Sequence, residues 1–277
     1  MNYYYTITGL PDIHLSDAKA VTLTEIADEL ERVLSKQDLA LLHLLRMKYD
    51  NQYLLDTLRN KEAHAHPLAL LSDADWDTWK QTFAEEGKVN EKDKLRKTVL
   101  HYFQSFYSKY TDSEQVLLME DLLAAEYYSC GLTCSNPFLK AWFEFNLNLN
   151  NVLVAITCKK HGMDTKKYIV GQNEVAEALR TSNARDFGVT DLFEQFEEVA
   201  RIAELHDLLE REKRLDALKW NWLEEHTFMH AFSIERILAF WLQSELLQRW
   251  EGLTTEKGKQ VFRDMMDDFK KEVKFQA

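Results

Sequence analysis

The chain has 277 residues, 45% of them hydrophobic and 29% charged, and its net charge is −12 at pH 7. The hydrophobic content can form a packed core and excludes an intrinsically disordered chain, while the acidic charge argues against nucleic acid and anionic lipid as partners. Only 8 Gly and 3 Pro are present. Because tight turns depend on these residues, their scarcity predicts long helices and an all-α fold.

The N-terminal residues 1–10 contain no basic segment followed by an apolar one, so no secretory signal is expected. The sequence contains no run of about 18 apolar residues, so no membrane span is predicted. The chain has 3 cysteines, an odd and small number that fits a reducing compartment. We therefore expect a cytoplasmic protein.

Capping signals locate several helices along the chain. Ser35 with Asp38 has the spacing of a capping box and opens a strongly apolar helix. Residues 138–161 form another apolar helical pattern. Asn173 is the expected N-cap of a short helix that follows it.

The region 189–251 contains neither Gly nor Pro. As a single helix it would be about 90 Å long, which exceeds the diameter of a domain. A break is therefore expected near Phe228 to Ser233. No low-complexity linker interrupts the chain, so residues 1–277 are expected to form one helical unit, with sub-bundles at 1–110, 111–188 and 189–277.

A weak internal repeat relates two of the apolar helices. In each copy a short polar residue is followed by apolar residues at helical spacing, and a basic residue closes the helix, where it suits the negative end of the helix dipole. Any amphipathic helix with a cap and a C-terminal Lys would share part of this pattern. The first copy comprises Asp50, Tyr53, Leu54, Leu58, Arg59 and Lys61, and the second comprises Asn148, Asn151, Val152, Ile156, Thr157 and Lys159.

The first copy resembles a motif of the protein that caps the membrane rotor of V-type and archaeal-type rotary ATPases, designated C (d in eukaryotes) and called the rotor-cap subunit here. That motif reads Asp, two residues, Asn-Leu, three residues, Leu-Arg, one residue, Lys, and Tyr53 stands here in place of Asn. The second copy keeps Asn151 and Lys159 but has Thr157 where Arg would lie. The segment 237–241 followed by Glu245 looks like the start of a third unit.

Over its full length the chain is similar to a bacterial family of unknown function that is encoded in V-type ATP synthase operons, where it stands in for the rotor-cap subunit. The residues that carry this similarity are the Tyr-rich opening with Gly9-Leu10-Pro11, the stretches 169–174 and 186–188, Trp220, and Arg249-Trp250. The resemblance implies three related helical bundles around a concavity. It also implies a non-catalytic role that couples the central stalk to the proteolipid ring, on the cytoplasmic side of the inner membrane.

An acidic segment is the candidate docking surface. Residues 191–216 carry nine acidic and four basic side chains. The simplest interpretation is a solvated helix face laced with ion pairs, and the sharper interpretation is a surface that binds a partner. The residues assigned to it are Glu194, Glu197, Glu198, Arg201 and Glu204.

Sites for metals and cofactors are poorly supported. His226 and His230 are four residues apart, but Thr227 follows His226 where a metalloprotease helix needs Glu. Cys130 and Cys134 have a CxxxC spacing, and no Gly-rich phosphate-binding loop or nucleophile elbow is present. We therefore expect no catalytic residue, no cofactor and no metal.

Three hypotheses follow from these patterns. The leading one is a non-catalytic component of a V-type ATPase that resembles the rotor-cap subunit, with central-stalk subunits and the proteolipid ring as partners. The second is a free-standing helical adaptor that has no link to the ATPase. The third is a helical metal-dependent hydrolase that uses His226, His230 and a carboxylate.

Overall fold

A computed structural model of the chain describes residues 3–17, 21–59, 61–84, 102, 103, 106, 119–182, 184–251, 253, 256–263, 265 and 266. Within these ranges the secondary structure is helical and no residue belongs to a strand. The predicted all-α fold is thus confirmed.

The helices whose bounds the structure describes vary from 6 to 25 residues in length. They are α1 (Tyr4–Gly9), α2 (Leu23–Val33), α3 (Lys36–Leu58), α4 (Asp73–Ala84), α5 (Met119–Leu132), α6 (Pro137–His161), α7 (Glu174–Thr181), α8 (Phe196–Ala203), α9 (Leu208–Thr227) and α10 (Ile234–Glu251), with a 3-10 turn at Thr165–Lys167 between α6 and α7.

Side-chain caps fix the N-termini of α7 and of the two longest helices within the described ranges. Ser35 accepts a hydrogen bond from the Asp38 N–H at 3.2 Å, and Asn136 accepts one from the Leu139 N–H at 3.0 Å. Asn173 caps α7 in the same way. Each cap satisfies an N–H that the helix itself leaves unpaired. The predicted caps at Ser35 and Asn173 are confirmed.

The predicted break in the Gly-free and Pro-free region is also confirmed. Helix α9 ends at Thr227 and α10 begins at Ile234. The hydroxyl of Thr227 donates back to the Leu223 carbonyl at 2.7 Å, which satisfies this buried hydroxyl within the last turn of α9.

The chain divides into two compact units, and the boundaries between them fall within α2 and α9. The terminal unit contains residues 1–28 and 216–277, and the central unit contains residues 29–215. The three sub-bundles expected from the sequence remain a prediction.

The central unit is organised around α6. This helix packs against α5, α7, α8 and the 3-10 turn, and α3 packs against α5. A buried aromatic cluster fills the region beside α3, where Tyr53 stacks on Trp76 with ring centroids 4.7 Å apart. The long apolar helices predicted from the sequence therefore form the core, as the hydrophobic effect requires.

In the terminal unit, a buried carboxylate joins α9 to α10. Asp216 is fully buried, and it accepts hydrogen bonds from Arg249 at 3.0 and 3.1 Å and from the Trp250 indole N–H at 2.8 Å. The ammonium group of Lys219 lies 3.9 Å away. Charge-assisted bonds of this kind hold two helices in one register, and they give Arg249-Trp250 a structural role.

Replacing Asp216 with Ala is expected to lower the free energy of unfolding by about 2 kcal/mol, because a buried hydrogen-bonded charge is lost and its partners stay behind. The matched control on the same helix is Glu210→Ala, which removes the exposed partner of Arg214. That change should cost under about 0.5 kcal/mol. Urea unfolding followed by circular dichroism measures both, and equal losses would contradict the proposed role of Asp216.

Candidate functional site

The first copy of the motif lies on α3 and holds a following loop. Asp50 is fully buried, and its carboxylate accepts the backbone N–H groups of Leu70 at 2.9 Å and Leu71 at 3.1 Å. Burial raises the pKa of Asp50 to about 7, although these two N–H donors and the nearby Arg46 lower it in part. Residues 68–71 are called the first loop below.

An arginine binds the carbonyl side of the same loop. The Arg46 guanidinium donates to the Leu68 carbonyl at 3.0 Å and to the Ala69 carbonyl at 3.4 Å, and it pairs with Glu31 of α2. The first loop is therefore fixed through its N–H groups by Asp50 and through its carbonyls by Arg46. Buried backbone groups need such partners.

The other positions of the first copy are structural. Tyr53 and Leu54 are buried in the aromatic cluster, and Leu58 packs against it. Arg59 pairs with Glu120 of α5 at 2.8 Å. Beyond the C-terminus of α3, the Lys61 N–H donates to the Asp56 carbonyl at 2.9 Å.

The second copy lies on α6 and holds a second loop, residues 169–172. Asn151 donates to the Val170 carbonyl at 2.7 Å and accepts the Val170 N–H at 3.0 Å. Asn148 accepts a hydrogen bond at 2.7 Å from Asn173, the cap of α7. Arg180 of α7 binds the carbonyls at residues 169 and 171. As in the first copy, buried polar groups and an arginine fix the loop.

The remaining positions of the second copy lie near the end of α6. Lys159 donates to the Ala184 carbonyl at 3.0 Å, and its ammonium lies 4.7 Å from the centre of the Phe187 ring. The Thr157 hydroxyl donates to the Leu153 carbonyl at 2.8 Å. Lys159 thus anchors the segment after α7 by a hydrogen bond and a cation–π contact.

The two copies share one arrangement in space. A capped long helix presents a buried polar side chain to the loop that follows it, and that loop ends in the cap of a short helix, Ser72 for α4 and Asn173 for α7. The cap-to-cap spacing along the chain is identical in the two copies. This spacing pairs Asp50 with Asn151, whereas the sequence motif pairs Asp50 with Asn148. In either register a buried polar residue of the long helix binds the loop or its cap.

Sequence reasoning missed Arg46 and Arg180. Arg46 had a visible signal, because it is a charge inside the apolar run of α3 and such a residue needs a buried partner. Arg180 had none, since a basic residue in the last turn of α7 is ordinary. Its carbonyl partners are set by the path of the second loop.

The candidate docking residues are all exposed. On α8, Phe196, Val199 and Ile202 are buried, and Glu197 and Glu198 lie on the opposite, solvent-facing side. The other members, Glu194, Arg201 and Glu204, are exposed as well. The structure therefore places the predicted set on an acidic outer face, and its use in docking stays a prediction.

The premise of a histidine pair on one helix is not met. Helix α9 ends at Thr227, so His226 and His230 do not share a helix face. The His226 ring stacks on Trp222 with centroids 3.7 Å apart, and the Nδ1 atom of His230 lies 4.0 Å from the Glu235 carboxylate. Within the described ranges, no three His, Cys, Asp or Glu side chains are grouped so as to hold a metal ion.

A cleft of about 940 Å³ opens beside the second loop in the central unit. One wall is a face of α5 from Asp121 to Leu132 with the following Thr133, and the other consists of residues 167–173 with Glu177 and Arg180 of α7. The cleft therefore adjoins the backbone that Asn151 holds in place.

A search for membrane-spanning helices and comparisons with known proteins give the following results. No helix in the described part of the chain combines the length and the apolar character that crossing a bilayer requires. No curated protein and no solved structure matches the chain. A family described as "Protein of unknown function (DUF2764)" matches residues 1–273. The chain therefore belongs to the DUF2764 family of proteins of unknown function.

Proposed function

We propose that this protein is a non-catalytic component of a V-type ATPase that resembles the rotor-cap subunit and couples the central stalk to the proteolipid ring. The observation that carries the proposal is the repeated unit, in which a long helix holds the following loop by hydrogen bonds and that loop leads into a short helix. Two residues that resemble the rotor-cap motif, Asp50 and Asn151, bind the backbone of the two loops, and Asn148 binds the Asn173 cap that follows the second loop. Motif residues that share a structural role support the resemblance more strongly than a match in the sequence alone.

The hydrogen bonds that hold the two loops also suit a subunit that transmits torque. A coupling subunit has to transmit torque, so its helices and loops must not shift under load. Hydrogen bonds from helix side chains to each loop supply that stiffness, because breaking any of them leaves a polar group without a partner. The exposed acidic face of α8 is then available to bind a stalk subunit or the loops of the ring, on the cytoplasmic side of the inner membrane.

Affinity purification of the tagged chain from cells that contain the ATPase tests this proposal. We expect central-stalk and proteolipid subunits to co-purify in fixed ratio with the tagged protein. Failure to recover either class of subunit would refute the proposal.

A matched pair of charge reversals tests the docking surface in the same experiment. Glu197→Lys with Glu198→Lys on α8 should lower the recovery of ATPase subunits about tenfold or more, since charge repulsion costs binding energy. The control, Asp28→Lys with Glu29→Lys on α2, changes the net charge equally at another exposed pair. Equal losses in the two variants would show that α8 is not the docking face.

A free-standing adaptor is the second candidate, and exposed apolar side chains favour it. Phe228 and Met229 are 82% and 85% exposed in the connection between α9 and α10, and Tyr5 is 90% exposed. Groups of exposed apolar residues mark interaction sites. Absence of the gene from ATPase operons, together with no recovery of ATPase subunits, would favour the adaptor.

A further inference from the structure

We propose that the cleft between α5 and the second loop binds an amphipathic α-helix that carries basic side chains, supplied by a protein partner. This inference goes beyond the coupling function and does not depend on it. It rests on the shape of the cleft, on the charge of its walls, and on a difference between the two copies of the repeated unit.

The shape suits a helix better than a compact small molecule. The α5 wall runs from Asp121 to Leu132, which is about 17 Å at the rise of an α-helix. The lining positions of α5 recur at helical spacing, so the cleft follows one whole face of that helix. Leu122 and Ala125 on this face are only half-buried. A helix laid along α5 would cover them, as happens when an amphipathic helix binds a groove.

The charge of the walls selects a basic partner. Asp121 and Glu126 of α5 and Glu177 of α7 line the cleft. Burial raises the pKa of Asp121, and the negative charge of Glu120 raises it further to a smaller extent. Added negative charge is therefore unfavourable at this position. Arg180 also lines the cleft, where it binds carbonyl groups of the second loop and lies 3.9 Å from the Glu177 carboxylate.

Lys167 is a further basic residue of the lining. The lining therefore holds three carboxylates and two basic side chains, which leaves a net negative charge. A Lys or Arg on the incoming helix would balance the net negative charge of the lining, which gives the site its selectivity.

The two copies differ in which helix supplies the arginine that binds the loop. In the first copy Arg46 arises from the long helix and reaches both the loop carbonyls and Glu31 of the preceding helix α2, so α2, α3 and the loop are joined. In the second copy the arginine is Arg180, which reaches the loop carbonyls from α7. The cleft lies on the side of the second loop that faces α5, the helix before α6.

Binding of a synthetic peptide to the purified full-length chain tests the inference. The probe is a labelled 18-residue amphipathic helix of Leu and Lys, and its partner probe has Glu in place of every Lys, with fluorescence anisotropy as the measurement. We expect the Lys probe to bind and the Glu probe to bind at least about tenfold more weakly. Comparable affinity for the two probes would overturn the proposal.

Variants localise the binding and separate it from general attraction to an acidic protein. Glu177→Lys, within the cleft, should weaken the Lys probe about tenfold, whereas Glu174→Lys, at an exposed position of the same helix outside the cleft lining, should change the affinity by less than about twofold. Equal weakening by the two variants would refute the cleft as the site.

A steric variant provides a second test without a change of charge. Ala125→Phe fills the α5 wall and should abolish binding of the Lys probe, with circular dichroism as the check on folding. If this variant does not fold, the exposed Glu177→Lys change still decides the question. Unchanged affinity in a folded Ala125→Phe protein would overturn the proposal. Because these measurements use the isolated chain, their failure is distinct from a failure to recover ATPase subunits.

Discussion

Replacing Gly131 with Ala is expected to lower the free energy of unfolding by about 3 kcal/mol, although Gly→Ala inside a helix ordinarily stabilises by up to about 1 kcal/mol. Gly131 is buried on α5, and a Cβ atom there would lie 2.1 Å from Cγ of Phe143 on α6. The Phe143 ring cannot easily move, because Tyr127 and Tyr128 flank it at centroid distances of 5.1 and 6.3 Å. The helices would have to separate at their contact.

A double-mutant cycle tests the cause of this loss. In a Phe143→Ala background the ring is gone, so Gly131→Ala should cost less than about 1 kcal/mol, which gives a coupling of about 2 kcal/mol between the two positions. The control is Gly258→Ala, where nothing lies within 4 Å of the added Cβ. Urea unfolding measures all of these proteins. Additive effects of Gly131→Ala and Phe143→Ala would refute the close helix contact.

The stability of the protein is expected to fall with rising pH because of Asp50, and Asp50→Asn should remove this component. The pKa of Asp50 is raised from 3.8 to about 7 in the folded protein, chiefly by burial. Between about pH 4 and about pH 7 the folded state therefore keeps a proton that the unfolded state has lost, so each pH unit costs about 1.4 kcal/mol. The contribution is complete below about pH 4 and is lost as the pH rises through about 7.

The measurement is the difference in unfolding free energy between the native sequence and Asp50→Asn at several pH values, because other carboxylates contribute equally to both proteins. At pH 5 the Asn side chain imitates the neutral acid, and at pH 8 the native protein carries a buried charge that the variant lacks. We expect the difference to change by about 3 kcal/mol in favour of the variant over this range. A difference that does not vary with pH would mean that Asp50 is ionised throughout.

Local signals in the sequence predicted the helices well, because they depend on neighbours along the chain. The caps at Ser35 and Asn173 and the break between α9 and α10 follow from short-range hydrogen bonding and from the length of an uninterrupted helix. The same break separates His226 from His230, because α9 ends at Thr227, between the two histidines.

The motif positions were recognisable from the sequence, but their task was not. The internal repeat in the sequence singles out Asp50, Asn148 and Asn151, and a polar residue in an apolar helix indicates a buried partner. They do not show which backbone groups these residues bind, because Leu70 is 20 positions beyond Asp50 and Val170 is 19 positions beyond Asn151. Such contacts are decided by how the chain returns to the helix after an irregular loop.

The sequence alone determined that this protein is acidic, all-α and built from apolar helices with local caps, since composition and helical periodicity are properties of neighbouring residues. Only the tertiary structure decided that Arg46 and Arg180 bind loop carbonyls, that Gly131 meets Phe143, and that a cleft opens beside α5. Each of these depends on distances between segments far apart in the chain. Those distances are set by the packing of whole helices, which no local pattern of residues encodes.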